Sequence, residues 1–188
     1  EAFVHGYEEA LGYSVGPLVR DKDGVSAVVR MAELVAWLAS QGRTVAEELD
    51  RLTLRHGLSC AMQWSVRLPG QDGQARIAAA MAQLRAAPLT QLAGTAVTRR
   101  LDVRDGSSWA RDGQAPACEL PSANVLIYHD AQGTRLVVRP SGTEPKIKFY
   151  LDRVVRPASQ AAIAADQAAG DERLLAIRAD LMGQLGLH

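Results

Sequence analysis

Two short strand segments, Arg135 to Val138 and Lys146 to Leu151, constrain this chain more than anything else in it. In the second, Ile147, Phe149 and Leu151 alternate with Lys146, Lys148 and Tyr150, the period of a half-buried strand. Between them lies Arg139-Pro140-Ser141-Gly142-Thr143-Glu144-Pro145, a loop that strands enter and leave, so it is pinned between rigid elements. Such a centrepiece needs a sheet around it. Val125 to Tyr128 supply a preceding strand, and the five residues His129 to Gly133 ahead of Thr134 read as the hairpin connection to Arg135–Val138. Met62, Trp64, Val66 and Leu68 alternate with Gln63, Ser65 and Arg67 as another strand, and Thr95 to Val103 is a further one. Ile77, Met81 and Leu84 mark a helix after the Asp72-Gly73 turn. Beyond Pro157 the Ala-rich stretch reads as a helix with Leu174, Ile177, Leu181 and Leu185 as its apolar stripe. The order β-α-β-β-β-β-α predicts a small α+β domain, with a mostly antiparallel sheet and helices on one face. Gly106 to Pro121, polar and unpatterned, is expected to be a surface loop.

The front of the chain has a different texture. Gly6, Gly12, Gly16 and Pro17 break up residues 1–20, which read as a strand end and a tight loop. Asp23 is placed to cap a helix carrying Val25, Val28, Val29, Ala32, Val35 and Ala36, ending at Gly42. Thr44-Val45-Ala46-Glu47 is a capping box that opens a second helix with Val45, Leu49 and Leu52 on one face. A loop and two helices with hardly any sheet amount to half a domain, so residues 1–57 are expected to complete something larger. The chain also begins Glu1-Ala2-Phe3 without Met and with no signal segment, the pattern of a processed or excised piece.

Composition removes several classes of function. Lys+Arg and Asp+Glu both number 21 in 188 residues, so no overall charge draws the chain to nucleic acid or a membrane surface. Trp37, Trp64 and Trp109 fall in helix, strand and loop rather than on one stacking platform, and Asp102 and Asp105 interrupt Arg99, Arg100 and Arg104. No apolar run is long enough to span a bilayer. Cys60 and Cys118 form no CxxC, which fits two free thiols in a reducing cytoplasm. The four histidines lack ligand spacing, and neither a GxSxG elbow nor a Walker loop is present.

Chemistry concentrates at residues 139–148. Arg139 can grip two phosphate oxygens in a fork, and Ser141 and Thr143 add neutral donors. Gly142 permits a backbone nest of inward amides, Pro140 and Pro145 stiffen the loop, and Lys148 falls on the same strand face as Lys146. Composition alone leaves open an ordinary polar hairpin with solvated charges. A second stretch, Gly6 to Tyr13 followed by Arg20-Asp21-Lys22-Asp23-Gly24, offers Glu8 and Glu9 as acceptors for sugar hydroxyls. Adjacent glutamates on a strand point to opposite faces, so they make a poor acid/base pair, and by spacing a solvated loop plus a helix cap explains the stretch as well.

The two stretches together carry a resemblance. Arg139-Pro-Ser-Gly-Thr-Glu-Pro-Lys-Ile-Lys-Phe-Tyr150 resembles the phosphate-binding loop in the fourth domain of the α-D-phosphohexomutases, the phosphoglucomutases and phosphomannomutases. Gly6-Tyr-Glu-Glu-Ala-Leu-Gly-Tyr13 resembles their third-domain sugar loop, and Asp21-Lys-Asp-Gly-Val25 the helix start after it. The resemblance implies that residues 1–57 are the end of an α/β third domain and 58–188 a TBP-like C-terminal domain. It implies that Arg139, Ser141, Gly142, Thr143 and Lys148 hold the phosphate that is not transferred. Glu8 would accept from sugar hydroxyls, while Lys22 would lie near the substrate. The intact enzyme would interconvert sugar 1- and 6-phosphates through a phosphoserine, Mg²⁺ and a bisphosphate such as glucose 1,6-bisphosphate. Neither a Thr-Ala-Ser-His-like serine loop nor an Asp-Gly-Asp-Gly-Asp-Arg-like metal loop is present, so the chain is expected to bind no cofactor and to be inactive without N-terminal domains. Ala10 replaces a serine common in relatives, which leaves glucose, mannose and ribose phosphates open, and with them a phosphopentomutase-type relative. A free-standing phosphosugar-binding module is the alternative of another class.

Overall fold

The computed structural model describes residues 3–8, 11–70, 72–115, 117–142 and 144–187, which divide into two compact units after Leu52. Each unit is taken by itself. In the first, β1 (His5–Glu8) and β2 (Gly12–Val15) form an antiparallel hairpin in which Tyr7 faces Tyr13. Helix α1 (Gly24–Ser40) starts where Asp23 accepts the Val25 and Ser26 amides, both at 3.1 Å, as the capping argument expects. Helix α2 (Val45–His56) carries the predicted box: the Glu47 amide donates to Thr44 Oγ1 and the Thr44 amide to Glu47 Oε2. Leu38 is the sole buried side chain of α1, whereas Val25, Val28, Met31 and Leu34 stand exposed.

The second unit is built on a seven-stranded antiparallel sheet. Its strands are β3 (Leu58–Arg67), β4 (Gln91–Leu92), β5 (Thr95–Asp102), β6 (Ser108–Ala110), β7 (Leu126–Asp130), β8 (Arg135–Pro140) and β9 (Lys146–Val155). They run in the order β3-β9-β8-β7-β5-β4, with β6 paired to β5. Helix α3 (Gly73–Ala86) and helix α4 (Ile163–Leu185) contribute Ile77, Met81, Leu84, Leu174, Ile177 and Leu181 to one core with Ile147, Phe149 and Leu151 of β9. The expected α+β class, mostly antiparallel sheet and one-sided helices are all present. Two details differ. Ser108–Ala110, read from sequence as loop, pair with Leu101, Arg100 and Arg99, because a three-residue strand is too short to leave a period. The β7–β8 strands also run further than expected: His129 pairs with Arg135, and the connection is residues 131–134.

That turn is held from inside. Asp130 is buried, and its Oδ1 accepts the Thr134 and Gln132 amides at 2.8 and 2.9 Å. Its Oδ2 faces Arg173 of α4 at 3.1 Å, and Arg173 also donates to the carbonyls of Leu92 and Ala93. One carboxylate thus ties a hairpin, a helix and the β4–β5 turn together. Removing one partner of such a pair would strand the other charge in the interior.

Helix α4 approaches β3 through Gly170, where an added Cβ would stand 2.3 Å from Cys60 Sγ. Cys60 is fully buried, so its thiol has no room to swing away, and burial pushes its pKa up. Gly170→Ala should therefore cost about 1–3 kcal/mol by overpacking. Urea unfolding checks this. Cys60→Ala introduced beside it should recover part of the loss, and an unchanged midpoint in Gly170→Ala would contradict the close approach.

Candidate anion-binding face and hairpin site

The face of the sheet away from α3 and α4 is decided by parity. Ile147, Phe149 and Leu151 are buried toward the helices, so Lys146, Lys148 and Tyr150 project from the other side. Cross-strand partners share a face, and the register is continuous across three strands. Arg139 of β8 lies opposite Lys148 of β9, which lies opposite Ser65 of β3. One row on, Lys146 lies opposite Arg67, and the Ser141 amide donates to the Lys146 carbonyl at 2.8 Å. The end of β3 is tied in as well, by the Leu68 amide donating to the Pro145 carbonyl at 2.9 Å. Four cations and Ser65 thus occupy one patch beside the loop.

The four cations are not equivalent. Glu144 lies 2.5 Å from Lys146 Nζ and 3.7 Å from Arg67 Nη2. Close contact with Lys146 and its charge, then the charges of Arg67 and Lys148, hold the Glu144 carboxyl below its usual range. Among the described residues neither Arg139 nor Lys148 has an ion-pair partner. Like charges directly opposite on adjacent strands are destabilising, commonly by about 0.2–1 kcal/mol. An anion seated between them removes that penalty.

The structure brings together four of the five residues assigned from sequence to this loop, namely Arg139, Ser141, Gly142 and Lys148; Thr143 lies outside the described residues. Gly142 does not use the left-handed region that the nest argument allowed it, and a Cβ there would meet open space. What it leaves is room beside the loop, not a turn that only glycine can make. On the helix side a cleft of about 480 Å³ runs along Arg139–Gly142 against Gln74, Ile77 and Met81 of α3. Ser65 and Arg67 were not assigned from sequence. Their outward parity in the Met62–Leu68 pattern was visible, but which strand they would adjoin was not.

In the first unit, Lys22 Nζ meets Glu8 Oε1 at 3.0 Å, so the two residues singled out for sugar contact touch each other. Both side chains are about half exposed, and the Glu8 hydrogen bond, then its charge, raises the Lys22 pKa. Gly12 makes the crossing possible: a Cβ there would stand 2.2 Å from Lys22 Cδ and 2.8 Å from Glu8 Oε1. Glu9 and Ala10 of the same loop lie outside the described residues. The hairpin thus presents an adjacent acceptor and donor, a pair able to bind vicinal hydroxyls. Among the described residues no group of three or more His, Cys, Asp or Glu could hold a metal ion, and no helix is long and apolar enough to cross a membrane.

The second unit is thus an antiparallel α+β domain with a cationic strand–loop–strand on the sheet face away from its helices. Comparison with known proteins gives the family. Residues 66–170 match the phosphoglucomutase/phosphomannomutase C-terminal domain, and the chain belongs to that family. It is 39% identical over 150 residues to a probable phosphomannomutase of Haemophilus influenzae, covering 79% of this chain and 28% of that protein. It is 35% identical over 150 residues to a phosphoglucomutase of Staphylococcus epidermidis, covering 79% of this chain and 27% of that one. The chain therefore spans under a third of the length of these relatives. In fold it resembles the open form of pp63/parafusin, a phosphoglucomutase from Paramecium, with TM-score 0.50 and 15% identity over 89% of this chain and 30% of that one.

At the far end of the open face, Arg99, His129, Arg135 and Asp152 form a row, with Arg135 bonded to Asp152 at 2.9 Å. Burial, then Arg99 and Arg135, lower the His129 pKa from 6.5. The folded chain therefore takes up this proton less readily than the unfolded chain. Its contribution to stability is whole above the unfolded value and is lost as pH falls through the folded one. His129→Gln should shrink the drop in urea midpoint between about pH 7.5 and about pH 5. An equal drop in the variant and the parent would show that His129 titrates alike in both states.

Proposed function

We propose that this chain is the substrate-gripping C-terminal part of a phosphoglucomutase or phosphomannomutase that interconverts sugar 1- and 6-phosphates. The observation that carries the proposal is the Arg139–Lys148 pair: two cations directly opposite each other on β8 and β9, neither in a salt bridge among the described residues. In this account Arg139 holds two oxygens of the non-transferring phosphate in a fork, Lys148 neutralises it from the neighbouring strand, and Ser141 and Thr143 add hydroxyl donors. Glu8 accepts from sugar hydroxyls beside Lys22. A loop that grips phosphate at either end of the sugar serves both orientations of a bisphosphate without preferring one.

The chemistry then proceeds by positioning and charge stabilisation. A phosphoserine outside these residues gives its phosphoryl group to the free sugar hydroxyl, and the bisphosphate turns over. The other phosphoryl group returns to the serine. In this account the Mg²⁺ and the serine belong to N-terminal domains, and the present residues alone perform no turnover. The enzyme is placed in the cytoplasm, where sugar phosphates are available and both thiols stay reduced.

Amide NMR of the chain titrated with glucose 1,6-bisphosphate tests the proposal. Shifts should centre on residues 139–148 and disappear in Arg139→Ala, with the affinity loss amounting to at least about tenfold, as for a lost charge-assisted pair. Shifts that persist unchanged in Arg139→Ala, or that fall elsewhere on the domain, would contradict it.

A further inference from the structure

The geometry points to Glu144 as a positioning residue that sets how much positive charge the phosphate loop offers, by occupying Lys146 and Arg67 so that Arg139 and Lys148 alone face the ligand. The inference rests on the phosphate reading of the loop given above. Four cations share the patch, in two rows one strand-step apart: Arg139 with Lys148, and Lys146 with Arg67. Residues two apart on a strand lie about 7 Å from each other, so all four would otherwise act on one bound anion. Glu144 divides them. It stands 2.5 Å from Lys146 Nζ, and the Lys146 side chain is 18% exposed, so this contact is the sheltered one. Its 3.7 Å approach to Arg67, whose side chain is 74% exposed, is weak by comparison.

The division has a consequence for a ligand that must leave the loop and return reversed. Three or four free cations would hold a phosphate dianion tightly and would favour whichever ligand carried most charge. Glu144 neutralises Lys146, and the largely exposed Arg67 is screened by solvent, so the two cations left beside the loop, Arg139 and Lys148, match a single phosphate dianion. Glu144 also anchors the loop's outgoing end over β3, next to the bond between the Leu68 amide and the Pro145 carbonyl. A residue with only this structural role would weaken binding when removed. A residue that masks charge would strengthen it.

The test uses inorganic phosphate as the probe, at low ionic strength, with affinity read from amide shifts in the 139–148 segment. Glu144→Gln should bind phosphate about sevenfold more tightly than the parent, the size expected from one unmasked unit charge about 7 Å from a dianion in water. The gain should shrink as salt is added. Glu144→Gln combined with Lys146→Met removes the pair as a neutral unit and should return affinity to the parent value. Equal or weaker binding in Glu144→Gln would overturn the inference. So would a loss in the double variant as large as that in Arg139→Ala, because Lys146 would then be a direct ligand. Parent binding that does not depend on Arg139 would instead overturn the phosphate reading itself, and this inference with it; that arm involves no Glu144 variant.

Discussion

Strand β9 can face the core in only one way. Ile147 and Phe149 are fully buried and Leu151 nearly so, and Phe149 stacks on Trp64 at 4.8 Å. A slip of one residue would drive Lys146, Lys148 and Tyr150 under the helices and expose those three apolar side chains, so the hydrophobic term fixes the parity. Every feature of the open face follows. With β9 held, β8 places Arg139 against Lys148, and β3 places Ser65 and Arg67 against Lys148 and Lys146. The loop proposed to hold phosphate is the short connection between two strands whose register the core has already settled.

A cationic face of this kind is electrostatically unfavourable on its own, and the rest of the domain has to absorb it. The largest share comes from burial. The polar contribution is concentrated in the clasp of Asp130 and Arg173, where one buried carboxylate satisfies two turn amides and a guanidinium that also bonds two carbonyls. That clasp fixes the β7–β8 turn at the end of β8 away from Arg139. Rigidity at one end of the strand and an unneutralised charge at the other describe a site held in place before its ligand arrives.

Much of this was legible in the chain. The alternation of Ile147, Phe149 and Leu151, the caps at Asp23 and Thr44, and the apolar stripe of α4 follow from local periodicity and side-chain chemistry, which need no knowledge of distant partners. The loop from Arg139 to Pro145 was recognisable because its donors are adjacent in sequence. What was not legible depends on residues far apart. The pairing of β3 with β9 joins segments about ninety positions distant, so Ser65 and Arg67 could be assigned a face but not a neighbour. Asp130 looked like turn chemistry because its partner Arg173 sits 43 positions away on α4. The Glu8–Lys22 contact was hidden for the same reason, although both residues had been chosen separately. Strand β6 escaped because three residues carry no period.

The central claim is that the register of β8 against β9 creates a phosphate site at Arg139 and Lys148. The most direct measurement is a crystal structure of the chain grown with glucose 1,6-bisphosphate. The account predicts one phosphate group within hydrogen-bonding distance of both side chains, with Lys146 still on Glu144. A phosphate seated on Lys146 and Arg67, or in the cleft against α3, with Arg139 and Lys148 unengaged, would contradict it.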